Sequence, residues 1–178
     1  MELAQSKTMA NLITAFAGES QASVKYGYYS EKAKKDGFEQ IADIFAETSK
    51  NEAQHAKIWY KQLNGEIKDT LQNLEDAANG ENFEWSEMYA EFARVAQSEG
   101  FVDIERLFLG VGDVEKAHEE RYLSLISNIN NSDVFKKNQA IVWHCKNCGH
   151  LHIGKEAPAI CPVCSHKQSF FEEYAENY

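Results

Sequence analysis

The first 140 residues of this 178-residue chain contain no proline and no cysteine. Without proline, nothing in that stretch forces a helix to break. All four cysteines and both prolines lie beyond it, so the composition changes abruptly and marks a domain boundary. The expected division is a first domain over 1–134, a linker over 135–140 and a small domain over 141–178. Positive charge is also scarce. A formal net charge of −10 excludes the basic footprint of a nucleic-acid binder and disfavours docking on anionic lipid. No apolar run approaches the roughly 18 residues needed to cross a bilayer. The opening MELAQSKTMAN lacks the basic-then-apolar pattern of a secretory signal. The expected location is the cytoplasm, where thiols stay reduced.

What is present is helical periodicity. Four helices are expected: 7–36, stopped by Gly37; 38–63, ending before Asn64-Gly65; 70–99, capped by Asp69; and 101–129. Their inward seams step by threes and fours. Helix one gives Leu12, Phe16, Glu19, Ser23 and Tyr26. Helix two gives Ile41, Phe45, Thr48, Glu52, His55 and Trp59. Helix three gives Leu74, Ala77, Glu81, Glu84, Met88 and Phe92. Helix four gives Ile104, Phe108, Val111, Glu115, His118 and Tyr122. Each seam is apolar except in its middle.

At that level Glu19, Glu52, Glu81, Glu84 and Glu115 point inward, with His55 and His118. Buried like charges cannot all stay ionised without concentrated positive charge nearby. No lysine or arginine falls on the seams there, so metal cations are the economical solution. Oxygen-rich ligation with imidazole suits iron or manganese. One Glu from each of two helices, with Glu-x-x-His from the other two, is the ferritin-like di-metal pattern. Glu84 is surplus to it and suggests a ligand that comes and goes with metal charge. Tyr26 lies two turns from Glu19 on one face, either as core or as a hydrogen-bond donor to this layer.

The stretch CKNCGHLHIGKEAPAICPVC carries two CxxC pairs, Cys145 with Cys148 and Cys161 with Cys164. Two such knuckles offer four thiolates to one tetrahedral ion, zinc or iron. His144, His150, His152 and His166 are expected at the surface. The segment is too small for a real core, so the ion contributes most of its stability.

These motifs together resemble the rubrerythrins: AFAGESQA around Glu19, KDGFEQIADIFAET leading to Glu52 and His55, ENFEWSEMY around Glu81 and Glu84, then CKNCG and CPVC. The resemblance covers the whole chain. It implies an all-α ferritin-like four-helix bundle followed by a rubredoxin-like domain. It implies a non-haem di-iron peroxidase that reduces hydrogen peroxide to water, recharged through an Fe(Cys)4 centre in which zinc can substitute. The electron source would be a redox protein such as rubredoxin or a flavoprotein reductase, giving an NADH-peroxidase-type chain. Carried over, Glu19 and Glu84 are terminal ligands of one iron, Glu81 and His118 hold the other, and Glu52 and Glu115 bridge. His55 replaces Glu84 on reduction. Tyr26 and Tyr89 match tyrosines near the family's site.

The connection between helices two and three raises a separate question. In a ferritin-like bundle these helices run parallel, so the link must climb roughly 30 Å, about 16 Å on each side of the ligand layer. Residues 64–69 reach at most ~20 Å. Residues 70–79 form a separate climbing segment, or all neighbours are antiparallel, or helix pairs are exchanged within a homodimer. The exchange is favoured, because TLQNLEDAA reads as one helix with the residues beyond it. Two competing functions are weighed. Ferritin-like iron oxidation and storage has no need of an attached one-electron carrier. A plain electron carrier with a structural zinc knuckle has no need of seam carboxylates.

Overall fold

The computed structural model describes residues 2–177. The chain forms two compact units, Met1–Lys68 and Asp69–Tyr178.

The first unit is a helical hairpin. Helix α1 spans Lys7–Lys35 and helix α2 spans Glu39–Asn64. Ser6 caps α1 by accepting the Met9 N–H at 3.2 Å. Its other end is closed by Gly37 at φ +83°, with the Phe38 N–H reaching Ala33 O and the Gly37 N–H reaching Lys34 O. This left-handed closure is one that a side chain would strain. The helices approach closely through small residues: Ser30, Ala33, Ala42 and Ala56 are buried. Ser30 Oγ donates to Ala42 O at 2.8 Å. Seam residues such as Ile41 remain about half exposed within this unit (48%).

The second unit begins with helix α3 (Thr70–Phe83), whose Asp69 cap accepts the Gln72 N–H at 2.9 Å. A π-helical turn, Glu84–Met88, comes next, then α4 (Tyr89–Ser98) and α5 (Val102–Asn130). The expectation of an uninterrupted third helix is corrected here. The chain stays helical from 70 to 98 but widens by one residue at the π turn, where the Tyr89 N–H bonds Glu84 O. Thr70 opens a helix that runs into its successor, so residues 70–79 are no separate climbing segment.

The two hairpins are near copies in sequence and in geometry. Gly37 and Gly100, Phe45 and Phe108, Glu52 and Glu115, and His55 and His118 are all separated by 63 positions. Gly100, at φ +85°, repeats the Gly37 closure, with the Phe101 N–H on Ala96 O. Tyr26 packs on Phe45 at 6.1 Å and 37°, and Tyr89 packs on Phe108 at 6.0 Å and 37°. Glu19 and Glu81, however, are 62 positions apart. The π turn absorbs the extra residue of the second copy.

The chain ends in a three-stranded antiparallel sheet, ordered β2-β1-β3, from β1 (Lys136–Cys145), β2 (Leu151–Glu156) and β3 (Phe171–Glu173). Residues 136–140, expected as linker, are the first half of β1. A miniature core of Trp143, Cys145, Ala157, Cys161 and Phe171 lies against it. Trp143 Nε1 donates to Gly154 O at 3.0 Å. No helix is long and apolar enough to cross a membrane among the described residues.

Candidate metal centres

Three donor clusters stand out among the described residues: Glu19, Glu52 and His55; Glu81, Glu115 and His118; and Cys145, Cys148, Cys161 and Cys164. Within each, the ligand atoms lie within 4.8 Å of one another.

In the first hairpin, His55 Nδ1 is 2.8 Å from Glu52 Oε2 and 3.8 Å from Glu19 Oε2. In the second, His118 Nδ1 is 2.7 Å from Glu115 Oε2 and 3.7 Å from Glu81 Oε2. Matching distances reflect matching construction. A Glu-x-x-His pair sits one turn apart on the return helix of each hairpin, facing one Glu of the outgoing helix. Burial, then the charge of Glu115, raises the Glu81 pKa above its usual value, and His118 only partly offsets this. A cation between these oxygens would remove that penalty.

Glu84 stands outside both clusters. It opens the π turn, half-buried. Tyr89 has its pKa raised by burial and then by the charges of Glu84 and Glu115, which places its phenol in their field. Tyr26 rests among rings, 6.0 Å from Tyr29 and 6.1 Å from Phe45. The structure therefore gathers six of the seven sequence-derived bundle ligands into two clusters and leaves the surplus one apart.

The cysteine site is likewise built twice. The Cys145 N–H meets His150 O at 2.9 Å, and the Cys161 N–H meets His166 O at 2.8 Å. Gly149 (φ +79°) and Ser165 (φ +59°) make the same left-handed step. Cys145 Sγ lies 3.7 Å from Cys164 Sγ, and Cys148 Sγ 3.7 Å from Cys161 Sγ. At Cys164 the His166 N–H leads in lowering the thiol to about 6. At Cys148 the His150 N–H pulls downward, yet burial and the other sulfurs outweigh it and push the thiol up to about 12. Four thiols this close shed one proton readily and hold another hard, as expected of a site built for a cation. His144, His150, His152 and His166 are half-buried rather than freely exposed, and none joins the sulfur cluster.

Family models for rubrerythrin and for the rubrerythrin rubredoxin-like domain match residues 10–126 and 143–172. The chain belongs to the rubrerythrin family. Rubrerythrin from Nitratidesulfovibrio vulgaris is 45% identical over 97% of each chain. Rubrerythrin-1 from Clostridium acetobutylicum is 44% identical over 97% of this chain and 96% of its own. Among solved structures, nigerythrin in a partially reduced state aligns at 31% identity over 93% of this chain and 85% of that one, with a TM-score of 0.37. The fold class is ferritin-like helical with a rubredoxin-like knuckle domain. The cofactors of the rubrerythrin family are a di-iron pair and an Fe(Cys)4 centre, and these donor sets fit them. As a rubrerythrin, the chain is a non-haem di-iron oxidoreductase that reduces peroxide, with electrons passing through the cysteine centre; iron storage is not favoured.

The ligand types were legible in sequence. What sequence reasoning missed is a bracket behind them. Glu119 Oε2 accepts the Trp85 Nε1–H at 2.6 Å, and Glu119 Oε1 accepts from Asn82 Nδ2 at 2.9 Å. The displaced repeat between 19–26 and 81–89 was the available signal.

Proposed function

We propose that this chain reduces hydrogen peroxide to water in an NADH-peroxidase-type chain fed by an external donor, rubredoxin or a flavoprotein reductase, in the cytoplasm. Each turnover takes one peroxide, two electrons and two protons to two waters. When bound, two ferrous ions supply both electrons and polarise the peroxide oxygens. Glu19, Glu52, Glu81, Glu84, Glu115 and His118 would hold the pair, Glu52 and Glu115 serving as ligands shared by both ions. His55 would be the neutral alternative to anionic Glu84 as a ligand to the reduced ion. Tyr26 donates a hydrogen bond toward the ligand layer. Cys145, Cys148, Cys161 and Cys164 hold the ion that delivers electrons singly.

The observation that supports this reading is the pair of matching Glu–Glu–His clusters, one per hairpin, with Glu84 outside both. We further propose that the working form is a homodimer with exchanged helix pairs. Residues 65–69 span at most ~18 Å, short of the ~30 Å climb that parallel packing of α2 and the 70–98 segment demands. Each site would then take Glu19, Glu52 and His55 from one chain and the other four ligands from its partner.

The test is to reduce the protein anaerobically, add one equivalent of peroxide per di-iron pair, and follow the spectrum. Rapid stoichiometric reoxidation is expected. Slow reoxidation with mineral growth would instead make the protein an iron store. For the exchange, sedimentation with metal analysis at high dilution decides: a monomer that keeps two bundle irons refutes it.

A further inference from the structure

The two hairpins differ where the extra residue enters. The first runs from Glu19 to Tyr26 as uninterrupted α-helix, and its return helix presents buried Ala56. The second reaches Tyr89 from Glu81 through the π turn, and the position matching Ala56 is Glu119. That carboxylate is engaged on both oxygens, by Trp85 at 2.6 Å and Asn82 at 2.9 Å. Lys116, one turn earlier on α5, places its ammonium 5.3 Å from the centroid of the Trp85 ring. Asn82 and Trp85 each come directly after a proposed ligand, Glu81 and Glu84.

A π turn is a rare way to carry one extra residue and occurs mostly as a single turn at functional sites; the sequence of α3 and α4 alone does not dictate which turn carries it. Moving it by one position turns the side chains it passes through about 100°, the angle per helical residue. We propose that Glu119 is a positioning residue: by gripping Asn82 and Trp85 it pins the π turn at Glu84–Met88 and so sets where Glu84 points. Groups that orient metal ligands by hydrogen bonds typically change affinity or activity ten- to a hundred-fold when removed; Glu119 would act on the same quantity through the backbone that carries Glu84. This inference rests on the reading of Glu84 as the exchangeable ligand.

The variants are Glu119→Gln, which keeps the shape but presents one acceptor instead of two, and Trp85→Phe, which removes the N–H together with part of the ring under Lys116. In metal-free protein, amides of 84–89 should exchange hydrogen at least ten-fold faster, with the first hairpin unchanged. In iron-loaded protein, weaker Glu84 ligation should disfavour the ferric pair by at least ten-fold. That raises its midpoint potential by about 59 mV for one electron while the cysteine centre holds its own. Unchanged exchange at 84–89 in both variants overturns the proposal, as does faster exchange with an unmoved di-iron potential. Should Glu119→Gln fail to fold, Trp85→Phe decides alone. Glu84→Gln is the control for the underlying reading. If it leaves the potential unchanged, Glu84 is not a ligand, whereas the exchange experiment still reports on the bracket.

Discussion

Ser23 and Ser49 hold each other's backbones. Ser23 Oγ donates to Ser49 O at 2.9 Å, and Ser49 Oγ donates to Ser23 O at 2.7 Å. Ser23 is one turn beyond Glu19 and Ser49 one turn before Glu52, so the clasp fixes the register of two proposed ligands. Replacing either serine with alanine should remove about 1 kcal/mol. Urea unfolding of metal-free protein measures it; a midpoint unmoved in both variants would show that the clasp is idle.

Iron should stabilise the helical part by mass action. Ferrous iron at a hundred times its dissociation constant should add about 2.7 kcal/mol. The double variant Glu52→Gln, Glu115→Gln should fold yet lose this response, as read by thermal melting with and without metal. A full iron response in that variant would remove these two residues from the site.

Glu81 contributes one pH dependence to the metal-free protein. Its pKa is raised in the folded state above the usual 4.5, first by burial and then by Glu115. A raised acid binds its proton more tightly when folded. Its contribution to stability is therefore present below the ordinary carboxylate range and is lost as pH rises through the raised value. Comparing metal-free wild type with Glu81→Gln isolates this contribution: between mildly acidic and neutral buffer the unaltered chain should lose more helical stability than the variant. With iron bound the trend reverses, because protons then compete with the ion.

Removing a thiolate should unfold one part of the chain and spare the other. Cys145 and Cys161 are almost wholly buried and belong to the five-residue core beside the sheet. Cys161→Ser should abolish the thiolate-to-iron colour and expose Trp143, while the far-ultraviolet helical signal persists. Zinc reconstitution of the unaltered chain should restore the fold without the colour.

Alanine at Gly37 or at Gly100 should cost about 1–2 kcal/mol, because each sits at a left-handed φ that a Cβ resists. Thermal melts should show similar penalties at the two sites, since the closures are equivalent.

Much of this was legible in the sequence. Helix ends were announced by Gly37, Asn64-Gly65 and Asp69, whose turn and capping chemistry is local. The ligands were legible because Glu52, His55, Glu115 and His118 are polar at seam positions that should be apolar. The paired CxxC motifs carry their own geometry. Three features were not legible in this way. The π turn leaves no compositional trace, since EWSEM is ordinary helix former and aromatic. The reach of β1 back to Lys136 depends on pairing with β2, a non-local contact. Glu119 belongs to no motif and no seam; only its hydrogen bond from Trp85, 34 positions away in sequence, distinguishes it.

The lone displaced residue between Glu81 and Tyr89 breaks what would otherwise be a faithful duplication. Two identical halves would bind two ions alike, and neither would have reason to yield before the other. On the reading proposed here, the inserted position makes the pair unequal. One cation would then keep its ligands through every cycle, while the other would have both a carboxylate and an imidazole within its choice.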